Sequence, residues 1–352
     1  MMTCLLLNVL IAGLSGMNRF DWNWKLSDLK VDKPVKVFST FSCGGGSSMG
    51  YKKAGFEVIG NVEIDPKINQ AYLFNNKPKY NYLEDLREFN KRVDLPEELY
   101  QLDILDGSPP CTTFSTAGKR EATWGKKKKF REGQTAQTLD DLFFVFLDTV
   151  EKLKPKIVVA ENVTGILKGK AKGYINLVIK RLQGLGYDVQ VFALNSAHMD
   201  CPQARHRAFI IANNQGYKKL KLVFDNDIYL FEDVKTQQGK PITSELVLKL
   251  LDAARPNDYR LADVNKRISG HNSMFGGIIT HDKQVCQTIT SGGQFYRFED
   301  KTKFSDEDLI RCSTFPADYN FRGNDVQYTV GMSVPPNMMA NIAMEIWEQW
   351  LK

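Results

Sequence analysis

The chain has 352 residues, 43% hydrophobic and 25% charged, enough to bury a full α/β core and carry a second, smaller domain. With 47 basic against 41 acidic residues the formal charge is +6, an excess that permits a nucleic-acid partner without requiring one. Six cysteines with no Cys-x-x-Cys pair and only four histidines argue against a zinc site and a secreted disulfide framework, so no metal and a reducing cytoplasm are expected.

In chain order, residues 1–16 are apolar and lack Lys and Arg. They are too short to span a bilayer and have no basic start like that of a signal peptide, so residues 1–30 read as an N-terminal extension and no membrane partner is expected. Residues 35–41 form a short β-branched and aromatic run that predicts a buried strand, ending in the turn Cys43-Gly44-Gly45-Gly46. A helix follows over 47–54, then a strand over 56–63, then a helix opened by Asp65 as cap and Pro66 at its first position. Further strands are expected at 102–106, 157–161, 187–194 and 208–212, with a long helix over 139–153. This strand–helix alternation implies a doubly wound, mostly parallel, Rossmann-like sheet. Residues 213–285 are polar and lack the βα pattern. The expected organisation is a catalytic domain over 31–212, a small domain over 213–300, and a return to the first domain over 301–352, ending in a helix at 338–350.

Three runs can carry chemistry. The glycine turn after the first strand gathers backbone amides at a helix start, and Glu63, about twenty residues on, can accept both hydroxyls of a ribose. On the residues alone, this suits either NAD or S-adenosylmethionine. Cys111 ends the run Gly107-Ser108-Pro109-Pro110-Cys111 at a strand's carboxyl end. A lone cysteine is more often inert core, but the stiff Pro-Pro lead favours a placed nucleophile. Glu161 closes an apolar strand, and Arg205 and Arg207 alternate ahead of another, so both point to one face.

Taken in this order, Pro109-Pro110-Cys111, Glu161-Asn162-Val163 and Gln203-Ala204-Arg205-His206-Arg207 resemble the DNA (cytosine-5)-methyltransferases. The resemblance covers roughly residues 35–212 and 285–345. It implies S-adenosylmethionine as cofactor, held by Phe41, Ser42, Cys43, Gly44 and Gly45, with Glu63 on the ribose, Ile64 on the adenine face and Asp85 on the adenine amino group. Leu86, Ser108, Pro109 and Ser333 complete that set. It also implies Cys111 as nucleophile toward cytosine, Glu161 at ring N3, Arg207 on the base and Arg205 as a brace. Ser115, Lys126, Lys127, Lys128, Lys129 and Arg131 are expected on a loop that closes over DNA phosphates.

Two segments near the end continue the resemblance: Arg311-Cys312-Ser313-Thr314-Phe315-Pro316, and Gly331-Met332-Ser333-Val334-Pro335-Pro336. The second is expected to fold back beside the glycine turn. Cys43, Ser313 and Met332 depart from the usual glycine, glutamine and asparagine, and Cys43 is tolerable if its φ is negative. Residues 213–300 are assigned to target recognition. The expected partners are double-stranded DNA and a separately acting restriction endonuclease, with the protein a cytoplasmic monomer. A tRNA cytosine-5 methyltransferase is disfavoured by the absence of a Cys-Phe-Thr tripeptide, a silent DNA-binding relative by the presence of Cys111 and Glu161, and an oxidoreductase by the arginine pair.

Overall fold

In the computed structural model the described residues are 19–110, 127–128, 137–138, 142–169, 171–272 and 276–352. Seven strands form the central sheet: β1 (Lys36–Thr40), β2 (Glu57–Glu63), β3 (Tyr80–Leu83), β4 (Ile104–Gly107), β5 (Ile157–Val163), β6 (Asp188–Asn195) and β7 (His206–Asn213). Their spatial order is β3-β2-β1-β4-β5-β7-β6, and only β7 runs antiparallel to its neighbours. The order reverses between β1 and β4, so the carboxyl ends of these two strands flank the crevice where such sheets bind ligands.

The strands are apolar on both faces because helices cover both. Phe38, Leu105, Val158 and Ile210 pack under α3 (Leu86–Lys91), α4 (Leu142–Leu153) and α5 (Ala171–Gly184). Val37, Ile104, Val159 and Phe209 pack under α1 (Gly46–Lys53) and, from the far end of the chain, α10 (Pro336–Ile346). The α1–α10 contact is close enough that a Cβ on Gly50 would lie 2.5 Å from the Pro336 carbonyl oxygen, so only glycine fits there. The final helix begins at Pro336, two residues ahead of the expected start, because proline suits a first helical turn. Between β2 and β3, α2 (Pro66–Asn76) starts as expected, with Asp65 accepting from Lys67 N and Ile68 N.

The segment from 213 onward builds its own layer. Helices α6 (Glu245–Asp252) and α7 (Leu261–Ser269) enclose a small core with β8 (Gly277–Thr280) and β9 (Gln294–Arg297); β10 (Thr302–Lys303) pairs with β9. Arg297 fixes this layer to α8 (Asp306–Cys312). Its guanidinium makes an ion pair of 2.6 Å with Asp308, and neither side chain has any exposure. Within the stretch expected as an extension, Trp24 is buried and donates its indole N–H to Thr314 O at 2.8 Å. Phe20 N donates to the carboxylate of the buried Asp200 at 3.0 Å, so residues from 19 onward pack into the body. Among the described residues, no helix is long and apolar enough to cross a membrane and no side-chain cluster could hold a metal.

Candidate active site

The turn between β1 and α1 bends sharply because Phe41, Cys43 and Gly45 all adopt left-handed backbone, with φ of 52°, 46° and 80°. The condition of a negative φ at Cys43 is therefore not met. A non-glycine residue in that region costs about 1–2 kcal/mol, and the turn holds two of them. A backbone bond compensates, since Cys43 N donates to Glu63 Oε2 at 2.8 Å. Glu63 Oε1 accepts from Ile64 N and Asp65 N, both at 2.9 Å. Burial pushes the Glu63 carboxyl up, against the pull of these three backbone donors.

Beside this carboxylate lies a cleft of about 870 Å³, mouth included, walled by Phe41, Val62, Ile64, Ile68, Leu86, Leu142, Tyr328 and Met332. Cys43, Glu63, Asp65, Glu84, Asp85, Ser108 and Pro110 complete its lining. Seven of the residues expected at the cofactor thus share one cleft: Phe41, Cys43, Glu63, Ile64, Asp85, Leu86 and Ser108. Ser42, Gly44, Gly45, Pro109 and Ser333 are not part of its lining. The Ser333 hydroxyl donates to Thr329 O at 2.8 Å. Gly44 is packed from behind by the returning segment, Tyr319 Oη donating to its carbonyl at 2.9 Å. Asp85 caps α3 through Arg87 N and pairs with the Arg87 guanidinium at 3.0 Å.

Among the described residues, the lining includes four carboxylates and no Lys, Arg or His. Glu84 is matched by Arg92 at 2.7 Å, whereas Glu63 is held by backbone donors. A dinucleotide pyrophosphate would find no basic group among these described residues. A nucleoside with a ribose diol and a positive sulfonium meets acceptors, negative charge and apolar walls, so these residues fit S-adenosylmethionine.

At the carboxyl end of β5, Glu161 Oε1 is 2.8 Å from Arg207 Nε, with side-chain exposures of 11% and 13%. Burial pulls the Arg207 guanidinium down, while the charge of Glu161 raises it. Asn162 Nδ2 donates to Pro109 O at 3.0 Å and so ties this strand end to the Pro-Pro run. Arg205 is fully enclosed. It donates to Ile289 O and to Gly331 O, each at 2.9 Å, and burial with Arg207 nearby lowers it to about 9. It therefore joins the end of the 213–300 segment to α9 (Val326–Met332), whose Tyr328 and Met332 line the cleft. His206 is exposed, unlike the two arginines that flank it.

On β4, ahead of the Pro-Pro run, sits a carboxyl that no sequence motif singles out. Asp106 accepts from Ser39 Oγ at 3.0 Å and Tyr51 Oη at 3.2 Å. Burial pushes it up to about 7. Cys111, Ser115, Lys126, Lys129 and Arg131 lie outside the described residues, and Lys127 and Lys128 are described only by backbone pairing with Thr138 and Gln137.

Comparison with known proteins places this geometry in a family. A family model for C-5 cytosine-specific DNA methylases matches residues 35–348. Type II methyltransferase M.Sau96I of Staphylococcus aureus is 29% identical, covering 94% of this chain and 81% of its own. Type II methyltransferase M.NgoPII of Neisseria gonorrhoeae is 28% identical, covering 89% and 95%. A crystal structure of a Spodoptera frugiperda DNMT2 mutant superposes with a TM-score of 0.62 at 16% identity, over 89% of this chain and 99% of that one, a likeness of fold. A match running from β1 to the last turns of the chain, with a cleft suited to a sulfonium nucleoside, makes this chain a member of the C-5 cytosine-specific DNA methylase family, an S-adenosylmethionine-dependent DNA cytosine-5 methyltransferase.

Proposed function

We propose that the chain methylates carbon 5 of a cytosine turned out of double-stranded DNA, with Cys111 as the nucleophile and Glu161 acting at ring N3. The observation that carries this reading is the Glu161–Arg207 pair, held beside the Pro109-Pro110 run by the Asn162 bond and adjoining the cofactor cleft through Ser108 and Pro110. Cytosine carbon 5 is a poor nucleophile, and its position inside a duplex is out of reach, so the base must leave the stack. The Cys111 thiolate adds to carbon 6 and breaks the ring's aromaticity, while Glu161 gives a proton or a strong hydrogen bond to N3. Carbon 5 is then enamine-like. Bound S-adenosylmethionine supplies an electrophilic methyl group. Loss of the carbon 5 proton and expulsion of Cys111 from carbon 6 restore the aromatic ring.

Arg207 orients Glu161 and presents its remaining donors to the base, and Arg205 holds the surrounding segments in register. Glu63, Ile64, Asp85 and Leu86 serve the nucleoside, and the glycine turn and Ser333 support them. Residues 213–300 serve target recognition, and the 126–131 lysines serve the DNA backbone. A separately acting restriction endonuclease, a monomeric state and a cytoplasmic location belong to the same proposal; the relatives named Type II methyltransferases support the first of these.

Methylation-sensitive sequencing of plasmid DNA from cells expressing the protein tests this reading, with Cys111→Ser and Glu161→Gln beside it. Methylcytosine at one short recurring sequence is expected, absent with Cys111→Ser and reduced about 10²–10⁴-fold in rate with Glu161→Gln. Methylcytosine found only in tRNA overturns the DNA assignment, and full activity in Cys111→Ser overturns the nucleophile.

A further inference from the structure

Residues 162–187, directly after Glu161, contain no Asp or Glu and five Lys or Arg. The stretch leaves β5 at the carboxyl end that presents Glu161, where Arg207 pairs with it. It passes through a short 3-10 turn, Thr164–Leu167, that packs against β7, and then enters α5. Ile166 and Ala171 are buried and anchor the connection. Between and beside these anchors, Lys168 and Lys172 are exposed. Arg181, farther along α5, is matched by Glu151 and Asp148, but among the described residues neither Lys168 nor Lys172 has a carboxylate partner. Gly169 takes φ of +57°, and a Cβ on it or on Gly173 would meet nothing within 4 Å, so the backbone here is open to approach.

Two lysines without counter-charges would ordinarily be a solvated face. Their placement argues otherwise. An anchored, acid-free connection at the catalytic end of the sheet concentrates positive charge where a polyanion must lie if its base is to reach Glu161. Each ammonium there can displace a condensed counterion from a phosphate. We infer that Lys168 and Lys172 form a phosphate-binding rim for duplex DNA on the catalytic side of the bound strand, separate from the residues assigned to target recognition. The rim positions DNA without reading its sequence, as backbone contacts do. This inference rests on the DNA reading given under Proposed function.

The test is the salt dependence of duplex binding by the full chain. Probes are a short duplex carrying the mapped methylation sequence and one lacking it, followed by fluorescence anisotropy over a range of salt concentrations. The variants are Lys168→Gln/Lys172→Gln and, as a control at the amino end of β5, Lys154→Gln/Lys156→Gln, both exposed. The rim variant is expected to flatten the slope of log K against log salt by about 1.8, that is about 0.9 for each of two phosphates left without its ammonium. It should weaken both duplexes by the same factor and leave cofactor affinity and melting temperature unchanged. The control should follow the wild type. An unchanged slope in the rim variant, or an equal loss in the control, overturns the inference while leaving the DNA reading intact. A wild-type protein that binds neither duplex overturns both.

Discussion

Asn162 is held at both ends of its side-chain amide: Nδ2 donates to Pro109 O at 3.0 Å, and Oδ1 accepts from Val163 N at 2.9 Å. Through this one side chain the strand bearing Glu161 is locked to the run that precedes Cys111. Asn162→Ala should therefore loosen the placement of Glu161 relative to that run, and with it the proposed acid and nucleophile. The expected result is a fall in kcat of about tenfold or more (~10²-fold for a displacement of about 1 Å), with cofactor affinity nearly unchanged. Single-turnover methylation beside equilibrium cofactor binding checks it. A proportionate loss in both measurements would show that Asn162 merely supports the fold.

Cys43 stands in left-handed backbone where a glycine would be unstrained. Cys43→Gly should stabilise the protein by up to about 1 kcal/mol, the relief of strain being partly offset by glycine's greater freedom when unfolded. The midpoint of urea unfolding reads this directly. A lower midpoint would mean that the Cys43 side chain contributes more than its backbone costs.

Much of this site is legible in the sequence because it depends on short-range order. The strand run before the glycine turn, the Asp65-Pro66 helix start and Glu63 at the end of its strand follow from local patterns, and all three fall where expected. What is not legible depends on closure between distant segments. Arg205 reads as one of two arginines on a strand, yet its guanidinium is spent on carbonyls 84 and 126 residues away. Met332 and Tyr328 line the cofactor cleft only because the returning segment packs on the turn. Asp106 reads as an ordinary polar residue at a strand end, and nothing local reveals that Tyr51 and Ser39 enclose it.

Asp106 gives the protein a distinctive response to pH. Its folded-state value of about 7 lies above the 3.8 of an ordinary aspartate, so the folded chain keeps a proton that the unfolded chain gives up. Stability from this group is full below about 3.8, declines as pH rises to about 7, and is then lost; the total is on the order of 2–4 kcal/mol. Asp106→Asn cannot ionise, and both neighbouring hydroxyls can turn to suit the amide. The variant should therefore gain on the wild type between mildly acidic and mildly alkaline buffer in urea unfolding. A constant gap across that range would mean Asp106 does not titrate there.

The Arg297–Asp308 pair, wholly enclosed, fastens the 213–300 layer to α8. Arg297→Met strands a buried carboxylate and should cost about 3–5 kcal/mol. Adding Asp308→Leu removes the stranded charge and should recover most of that loss, although Thr236 loses bonds to both side chains. Denaturant titration of the single and double variants checks the cycle. Equal losses in both would assign the cost to packing instead of charge.

The span matched by the family model begins at residue 35, but the folded body does not. Trp24 is seated against Thr314, and the Lys53 ammonium lies 4.4 Å from the centre of its ring while bonding Asp21 O and Asn337 Oδ1. Burial lowers that ammonium to about 7, so the short leading segment is the roof over a charge placed at the end of the glycine-turn helix. A piece cut at residue 35 would keep the whole span of the family model, yet bare the Lys53 end of that helix to water.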